Sequence, residues 1–208
     1  VQNETVIEHL RRRGVLSHTS YVPLMTERNF DLSPKEKAYL AKYFDLPPGF
    51  LTKLASDDVR NFEIVKRLEA ECTAGQQILF FGCSVEHSQF ICAIMTLLGF
   101  GAAHIDGTTP KPRRRKILQR FKDQEFNLLC NYGVLSTGFD APKTNVVFIA
   151  RPTSSIVLYS QMIGRGLRGP QIGGTERCKV IDVRDNINGF SDENAVYSYF
   201  DEYYEGGS

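Results

Sequence analysis

The sequence predicts an α/β fold, in which a mainly parallel sheet is covered by helices on both faces. Three observations predict it. Short apolar runs alternate with helical stretches from residue 77 onward, capped helix starts recur before residue 75, and 42% of the residues are apolar, which is enough for a core. We expect one domain of ordinary size, residues 75–190, between a helical N-terminal extension or linker, residues 1–74, and an acidic tail, residues 191–208.

Helix starts in the N-terminal extension are marked by side chains that can cap backbone N–H groups. Thr5 and Glu8 have the spacing of a capping box, and Ser33, Pro34 and Glu36 combine that spacing with a proline in the first turn. Both positions predict the first turn of a helix.

The last helix of the extension is expected to begin at Asp57 or Asp58 and to end before Gly75. Its inward-facing residues are expected to be Phe62, Ile64, Val65 and Leu68. No strand is predicted before residue 75.

Five short apolar runs predict the strands. They are residues 78–81, 102–105, 126–130, 146–150 and 180–183. Strands that alternate with helices imply right-handed crossovers and parallel pairing, and in such sheets ligands bind beyond the carboxyl ends of the strands. Ser84, Asp106, residues 132–140 and Arg151 all follow predicted strands, so polar groups that could bind a ligand are expected at that end.

Charge is balanced in total but unevenly distributed. The net charge is +1, yet residues 111–122 carry seven basic groups and no acid, and residues 185–208 carry six acids and no lysine or arginine. This asymmetry indicates one surface that faces a polyanion. Arg114 and Arg115 are candidate contacts to nucleic acid, although the basic groups cover more than half of the helix circumference, so some must be plain solvated surface.

The cysteines and histidines argue against metal and nucleophilic chemistry. The five cysteines match no zinc spacing and are odd in number, which favours free thiols in a reduced, cytoplasmic protein. The four histidines do not cluster, and none is expected opposite an activated serine or cysteine. No apolar run reaches 18 residues and no signal-peptide pattern opens the sequence, so no membrane association is expected.

Two segments carry the candidate ligand chemistry. Residues 135–142 read Leu-Ser-Thr-Gly-Phe-Asp-Ala-Pro and contain one carboxylate, Asp140, whereas residues 161–168 place Arg165 and Arg168 three apart at a helix end. We expect these groups to form one side of a nucleotide-binding site at the mouths, that is the carboxyl ends, of neighbouring strands. The alternative is that both arginine side chains are solvated or form ion pairs with Asp182 and the acidic tail.

Phosphate binding of the P-loop kind is not available to this sequence, because it contains no Gly-x-x-x-x-Gly-Lys-Ser/Thr run. An arginine can instead stabilise charge on a phosphoryl group that another domain binds. The two segments are therefore read as half of a nucleotide site.

Together with residues 78–84 (Ile-Leu-Phe-Phe-Gly-Cys-Ser), these segments resemble motifs IV, V and VI of the second RecA-like domain of superfamily 2 helicases and translocases. The resemblance covers roughly residues 76–184. It is most similar to the type I/III restriction-enzyme and repair-helicase branch of this DEAD/DEAH-box-like group. Met162 stands where many relatives have an arginine after the motif VI glutamine, which disfavours the viral and DEAH-type branches.

The resemblance implies a role for each matching position. Arg165 and Arg168 would be arginine fingers for ATP, Gln161 would contact the phosphates or their water, and Gly138 and Asp140 would approach the nucleotide.

The resemblance also implies nucleic-acid contacts. Ser84, Ser136 and Thr137 would bind phosphates of DNA, with RNA the less favoured partner. Ser84 could equally cap the helix that follows it, and the two roles are compatible. ATP and its Mg²⁺ would be held mainly by an N-terminal P-loop RecA-like domain of the same protein.

The implied function is the C-terminal half of an ATP-dependent DNA helicase or translocase, a hydrolase that is inactive as an isolated fragment. Two alternatives stay open. One is a catalytically silent RecA-like module that binds nucleic acid or protein. The other is a self-contained α/β enzyme that acts on a small phosphorylated ligand at residues 82–84.

Overall fold

The computed structural model describes residues 5–134 and 143–190. Six strands form a single sheet in which every pairing is parallel, in the order β1-β6-β5-β2-β4-β3. The strands are β1 (His18–Asp31), β2 (Ile78–Phe81), β3 (Ala102–Ile105), β4 (Leu128–Asn131), β5 (Val146–Ile149) and β6 (Arg177–Asn188). The predicted α/β class with a parallel sheet is confirmed.

Seven α-helices surround this sheet within the described residues. They are α1 (Val6–Arg12), α2 (Pro34–Tyr43), α3 (Pro48–Ala55), α4 (Asp58–Thr73), α5 (Val85–Leu97), α6 (Lys111–Lys122) and α7 (Ile156–Ile163). Complete capping boxes begin α1 at Thr5 and α2 at Ser33, and the Asp57 carboxylate caps α4. The helix starts predicted from capping spacing are therefore confirmed.

The two faces of the sheet bury separate apolar layers. On one face, α6 and α7 contribute Phe121, Tyr159 and Met162 to a cluster with β2, β4 and β5. On the other face, α4 and α5 contribute residues such as Leu68 and Ile91 to a second cluster with the same strands. Helices thus cover both faces, as expected for a parallel sheet that is buried on both sides.

Strand β1 corrects the expectation that residues 1–74 are helical throughout. It pairs with β6 along most of its length, from His18 opposite Arg177 to Asp31 opposite Asn188. This strand is difficult to recognise in the sequence because buried and exposed residues alternate along it only in part and because it includes Pro23. The division into residues 1–74, 75–190 and 191–208 stays a prediction, although a strand of the first segment belongs to the sheet.

Helix α4 is rotated relative to the expected face. Ile64 and Leu68 are buried as predicted, but Phe62 is 64% exposed, and Arg60 and Asn61 are buried in its place. The expectation that Phe62 points inward is therefore wrong. Apolar periodicity located the helix correctly but did not anticipate a charged side chain on its inner face.

Candidate nucleotide and nucleic-acid sites

Ser84 lies where the first predicted motif ends, at the amino terminus of α5. Its hydroxyl accepts a hydrogen bond from the His87 backbone N–H at 3.1 Å, and the side chain is half-buried. Ser84 is thus the N-cap of α5, one of the two roles considered for it. A phosphate contact at this position remains a prediction.

Asp106 organises the turn that follows β3. Its carboxylate accepts hydrogen bonds from the backbone N–H groups of Thr108 at 2.7 Å and Thr109 at 3.0 Å. His104, followed by Thr108, holds the pKa of the Asp106 carboxyl well below its usual range through these hydrogen bonds. The turn is therefore an ordered element at the carboxyl end of the sheet, with the Asp106 carboxylate buried at its centre.

The guanidinium of Arg114 closes the same turn, whereas Arg115 remains exposed. One Arg114 nitrogen donates to the carbonyl oxygens of Asp106 at 2.8 Å and Thr109 at 3.2 Å. Two neighbouring arginines of α6 therefore have different environments. Of the two arginines that were predicted to contact nucleic acid, Arg115 is the one whose side chain is exposed to solvent.

Ser88, His104 and Asp106 form a hydrogen-bonded chain with the order of a catalytic triad. Ser88 Oγ lies 2.9 Å from His104 Nδ1, and His104 Nε2 lies 2.9 Å from Asp106 Oδ2. No histidine was expected opposite an activated serine, and His104 does lie beside a serine. Ser88 is completely buried within α5, however, so a substrate cannot reach its hydroxyl. The hydrogen bonds among these three side chains connect α5 to the turn after β3.

A buried ion pair, which the sequence did not reveal, links four strands at the carboxyl end of the sheet. Arg60 is 0% exposed, and its Nε donates to the carboxylate of Asp185 at 2.9 Å. The same guanidinium donates to the carbonyl oxygen of Ala150, directly after β5. Thr26 on β1 donates its hydroxyl proton to Asp185 Oδ1 at 2.6 Å, and Cys83, beyond β2, donates through Sγ to Ala150 O.

His87 is a buried neutral histidine beside that ion pair. Its Nδ1 accepts from the Cys83 N–H at 3.1 Å, so Nε2 carries the proton and donates to Asn61 Oδ1 at 3.0 Å. Burial, assisted by the positive charge of Arg60, lowers the pKa of His87 to about 3. The ring therefore links α4 to the segment after β2 through two fixed hydrogen bonds.

Arg151, another polar residue predicted at the carboxyl end, binds the N-terminal region. Its guanidinium forms an ion pair with Asp45, in the connection between α2 and α3, and Thr153 contacts the same carboxylate at 3.4 Å. Arg151 therefore joins the segment after β5 to the helical extension.

Helix α7, which precedes the two arginines, takes the chain to the opposite end of the sheet. Helix α7 begins after β5, runs back across the face for eight residues, about 12 Å, and ends at Ile163. Beyond it lies the arginine loop, residues 164–175, whose Gly166 packs against Val147 and Cys178 near the starts of β5 and β6. The expectation that the arginines lie at the mouths of the strands is wrong, because a crossover helix runs antiparallel to its strands.

Neither arginine lies on the helix itself. Arg165 falls in the turn that ends α7, Arg168 forms an antiparallel bridge with Leu16, and the side chains of Gln161, Arg165 and Arg168 are all half-buried. The remaining predicted ligands, Ser136, Thr137, Gly138 and Asp140, lie outside the described residues. Their roles remain predictions.

Residues 5–134 and 143–190 contain no group of three or more His, Cys, Asp or Glu side chains that could hold a metal ion. All five cysteines are free, and four of them are buried. No helix in the described part of the chain is both long and apolar enough to cross a membrane.

Comparison with known proteins identifies relatives. The chain is 32% identical over 135 residues to the 51.5 kDa protein of a Lactococcus phage, covering 64% of this chain and 28% of that protein. It is 36% identical over 137 residues to a Schizosaccharomyces pombe protein named as a mitochondrial ATP-dependent helicase, irc3, covering 66% of this chain and 22% of that protein. The chain thus spans about a quarter of the length of these relatives.

Solved structures share the fold. A fragment of an HsdR subunit of a type I restriction enzyme from Vibrio vulnificus superposes with a TM-score of 0.59 at 18% sequence identity, over 87% of this chain and 34% of that one. Residues 60–169, more than half of the chain, match the family described as helicase conserved C-terminal domain. The chain belongs to the family of helicase C-terminal domains, with the RecA-like fold of superfamily 2.

Proposed function

We propose that this chain is the C-terminal half of an ATP-dependent DNA helicase or translocase, in which Arg165 and Arg168 serve as arginine fingers. One observation carries the proposal: both arginines lie on one tightly held loop beyond α7. Both also lie within residues 60–169, the region that matches the helicase family. A P-loop domain of the same protein would bind ATP and its Mg²⁺, because this sequence has no P-loop of its own.

The proposed mechanism depends on closure of two RecA-like domains over ATP. Closure would bring Arg165 and Arg168 to the γ-phosphate, where cations stabilise the charge of phosphoryl transfer. Gln161, in the last turn of α7, would orient the phosphates or the attacking water. Gly138 and Asp140 would line the nucleotide beside them. Hydrolysis would reopen the cleft and move the pair of domains along the strand.

Nucleic acid would be bound at the other end of the sheet. Ser84 follows β2 at the start of α5, and the exposed Arg115 lies on α6, the helix that follows β3. Ser136 and Thr137, which lie outside the described residues, would add contacts as the resemblance of their segment implies. Contacts of this kind go to phosphates, so binding would be tolerant of sequence and sensitive to salt. DNA is favoured over RNA by the Thr-Gly-Phe-Asp-Ala-Pro run at residues 137–142, which is typical of the restriction and repair branch. A cytoplasmic location belongs to the same proposal.

The decisive experiment uses a two-domain protein in which this chain follows its P-loop domain. Arg165→Ala should lower the DNA-stimulated kcat for ATP by on the order of 10³-fold or more, because a transition-state cation is lost. ATP affinity, measured with a fluorescent analogue, should be retained. Arg177→Ala, which removes an exposed arginine from the start of β6, is the matched control and should leave kcat unchanged. Unchanged turnover in Arg165→Ala would refute the finger role.

Two simpler measurements test the rest of the proposal. The purified 208-residue chain should show no appreciable ATPase activity, and measurable turnover would contradict the proposed division between two domains. In the two-domain protein, single-stranded DNA should stimulate ATPase more than single-stranded RNA of the same sequence. Stimulation by RNA alone would assign the chain to an RNA motor.

A further inference from the structure

Four residues before β1 hold the arginine loop through its main chain. We call residues 14–17 the N-terminal clasp. The Ser17 N–H donates to Leu167 O at 2.9 Å, the Gly169 N–H donates to Val15 O at 2.9 Å, and the Gln171 N–H donates to Gly14 O at 2.9 Å. Leu16 and Arg168 form the antiparallel bridge between these bonds. A segment about 150 residues upstream thus pairs with the loop as a short strand would.

The side chain at the centre of this clasp is Ser17, which is 1% exposed. Its hydroxyl oxygen lies 2.7 Å from Arg168 O, 2.7 Å from Thr175 O and 3.2 Å from Gly166 O. A serine hydroxyl has a single proton to donate. Three carbonyl groups from both limbs of the loop therefore converge on one donor. Gly166 directly follows the proposed finger Arg165, and Arg168 is itself a proposed finger.

The loop has its own main-chain hydrogen bonds mainly in its far part, where residues 168–175 form four of them around the 3₁₀ turn Pro170–Ile172. Its helical hydrogen bonds end with the N–H groups of Arg165 and Gly166, which donate to Met162 O and Ile163 O. Beyond that point, the bond from the Thr175 N–H to Arg168 O at 2.9 Å is the link between the two limbs nearest to the fingers. The backbone of Arg168 is thus fixed by Leu16 on one side, by Thr175 on the other, and by Ser17 Oγ at its carbonyl.

The loop packs closely against the clasp and against itself. A Cβ atom on Gly169 would lie 2.2 Å from Gly14 O, and one on Gly174 would lie 1.8 Å from Arg168 O. Real Cβ contacts are not that short, so Gly169 is needed where the loop meets the clasp, and Gly174 is needed where the two limbs of the loop meet. The loop and the clasp therefore form one closely fitted unit with Ser17 at its centre.

We infer that Ser17 is a positioning residue for the arginine fingers: its buried hydroxyl gathers the carbonyl groups of Gly166, Arg168 and Thr175 and so sets the direction of Arg165 and Arg168. The inference rests on the proposed function of those arginines. Ser17 itself touches neither nucleotide nor nucleic acid in this scheme. Its loss should act through the geometry of the fingers, and displacement of a catalytic group by about 1 Å can cost on the order of 10²-fold in rate.

The test compares Ser17→Ala with two partners in the two-domain protein. Ser17→Thr keeps the hydroxyl and is the rescue variant. Thr26→Val removes another buried hydroxyl from the same N-terminal region, at the far end of β1, and is the matched control for destabilisation. We expect Ser17→Ala to lower kcat by about 10-fold to 100-fold with unchanged affinity for the fluorescent ATP analogue. Ser17→Thr should recover most of that loss, and Thr26→Val should retain wild-type kcat.

Hydrogen exchange measured by mass spectrometry gives a readout that does not depend on catalysis. In Ser17→Ala, peptides from residues 164–175 should exchange faster, whereas peptides from β6 should exchange at the wild-type rate. Equal acceleration in both, or in neither, would overturn the positioning role.

The kinetic outcomes separate the two proposals. If Arg165→Ala abolishes turnover while Ser17→Ala behaves like Thr26→Val, the positioning role is refuted and the fingers stand. If Arg165→Ala retains turnover, the finger role is refuted, and the positioning of catalytic fingers by Ser17 is refuted with it.

Discussion

The carboxyl end of the sheet and the arginine loop at its amino end are held by different kinds of interaction. At the carboxyl end, charged and titratable side chains make the contacts: Arg60 with Asp185, His87 with Asn61, and Asp106 with its threonines. At the amino end, the arginine loop is held by main-chain hydrogen bonds and by glycines in close contact. The carboxyl end should therefore respond to changes in charge and pH, and the arginine loop to changes in side-chain volume.

The largest effect is expected at the buried ion pair of the carboxyl end. Arg60→Met should lower the free energy of unfolding by about 3–5 kcal/mol, because it leaves the Asp185 carboxylate buried without its cation. The matched control is Arg120→Met, which breaks a pair with Glu125 whose side chains are both 49% exposed and should cost less than about 1 kcal/mol. Urea denaturation of the chain measures both. Equal costs would show that burial does not distinguish the two pairs.

A smaller effect is expected when volume is added at the amino end. A Cβ atom on Gly166 would lie 2.2 Å from Cys178 Sγ and 2.7 Å from Val147 Cγ2. Gly166→Ala should therefore cost about 1–3 kcal/mol of unfolding free energy, as overpacking does.

Removal of the sulfur that obstructs the new methyl group should reduce the effect of Gly166→Ala. The double variant Gly166→Ala/Cys178→Ala should lose less stability than the two single variants predict together. Gly49→Ala in α3, where nothing lies within 4 Å of an added Cβ, should be neutral or slightly stabilising. Thermal denaturation measures all four proteins. Strict additivity would contradict the proposed clash.

Acidification should weaken the carboxyl end through His87. The unfolded chain binds a proton at this ring below about pH 6.5, whereas the folded chain binds it only near its lowered pKa of about 3. Stability is therefore lost as the pH falls through that window, by on the order of 1.4 kcal/mol for each pH unit. In His87→Gln this component is absent, so the stability difference from wild type should shrink between pH 7 and pH 5. A constant difference would show that the folded ring can take up a proton.

The smallest effects should separate two adjacent arginines of α6. Arg114→Ala should cost about 1 kcal/mol of stability, because the turn after β3 loses its donor. Arg115→Ala should leave stability unchanged and reduce the salt dependence of binding to a single-stranded oligonucleotide by about one charge. Fluorescence anisotropy over a salt series measures that slope. A reduced slope in Arg114→Ala alone would reverse the two roles.

Local signals made much of the fold predictable, whereas distant partners did not. Capping at Thr5 and Ser33 depends on residues three positions away, so the starts of α1 and α2 could be read directly. The apolar runs of β2, β4 and β5 are buried on both faces, which makes them continuous and easy to recognise. Strand β1 lies at an edge, carries mixed polarity, and depends on β6 from the far end of the chain.

The sequence proposes the candidate site as a set of residues, whose roles stay predictions, but it does not give their arrangement. Motif spacing indicated Arg165 and Arg168, yet their position at the amino end of the sheet follows from the direction of α7. Arg60 and Ser17 gave no signal, because each acquires its role from residues more than 100 positions away. A single arginine within an amphipathic helix normally indicates a solvated position, and here tertiary packing determined otherwise.

Strand β1 also determines what the sheet can do at its margins. An edge strand offers unpaired backbone groups to which another chain can add. Here one margin is β3, only four residues long, and the other is β1, which includes Pro23, a register shift between Met25 and Asn29, and Glu27 with a φ of 55°. A proline lacks an N–H to donate, and an irregularity bends the strand away from a flat template. The described sheet is thereby protected against strand addition and aggregation at both margins.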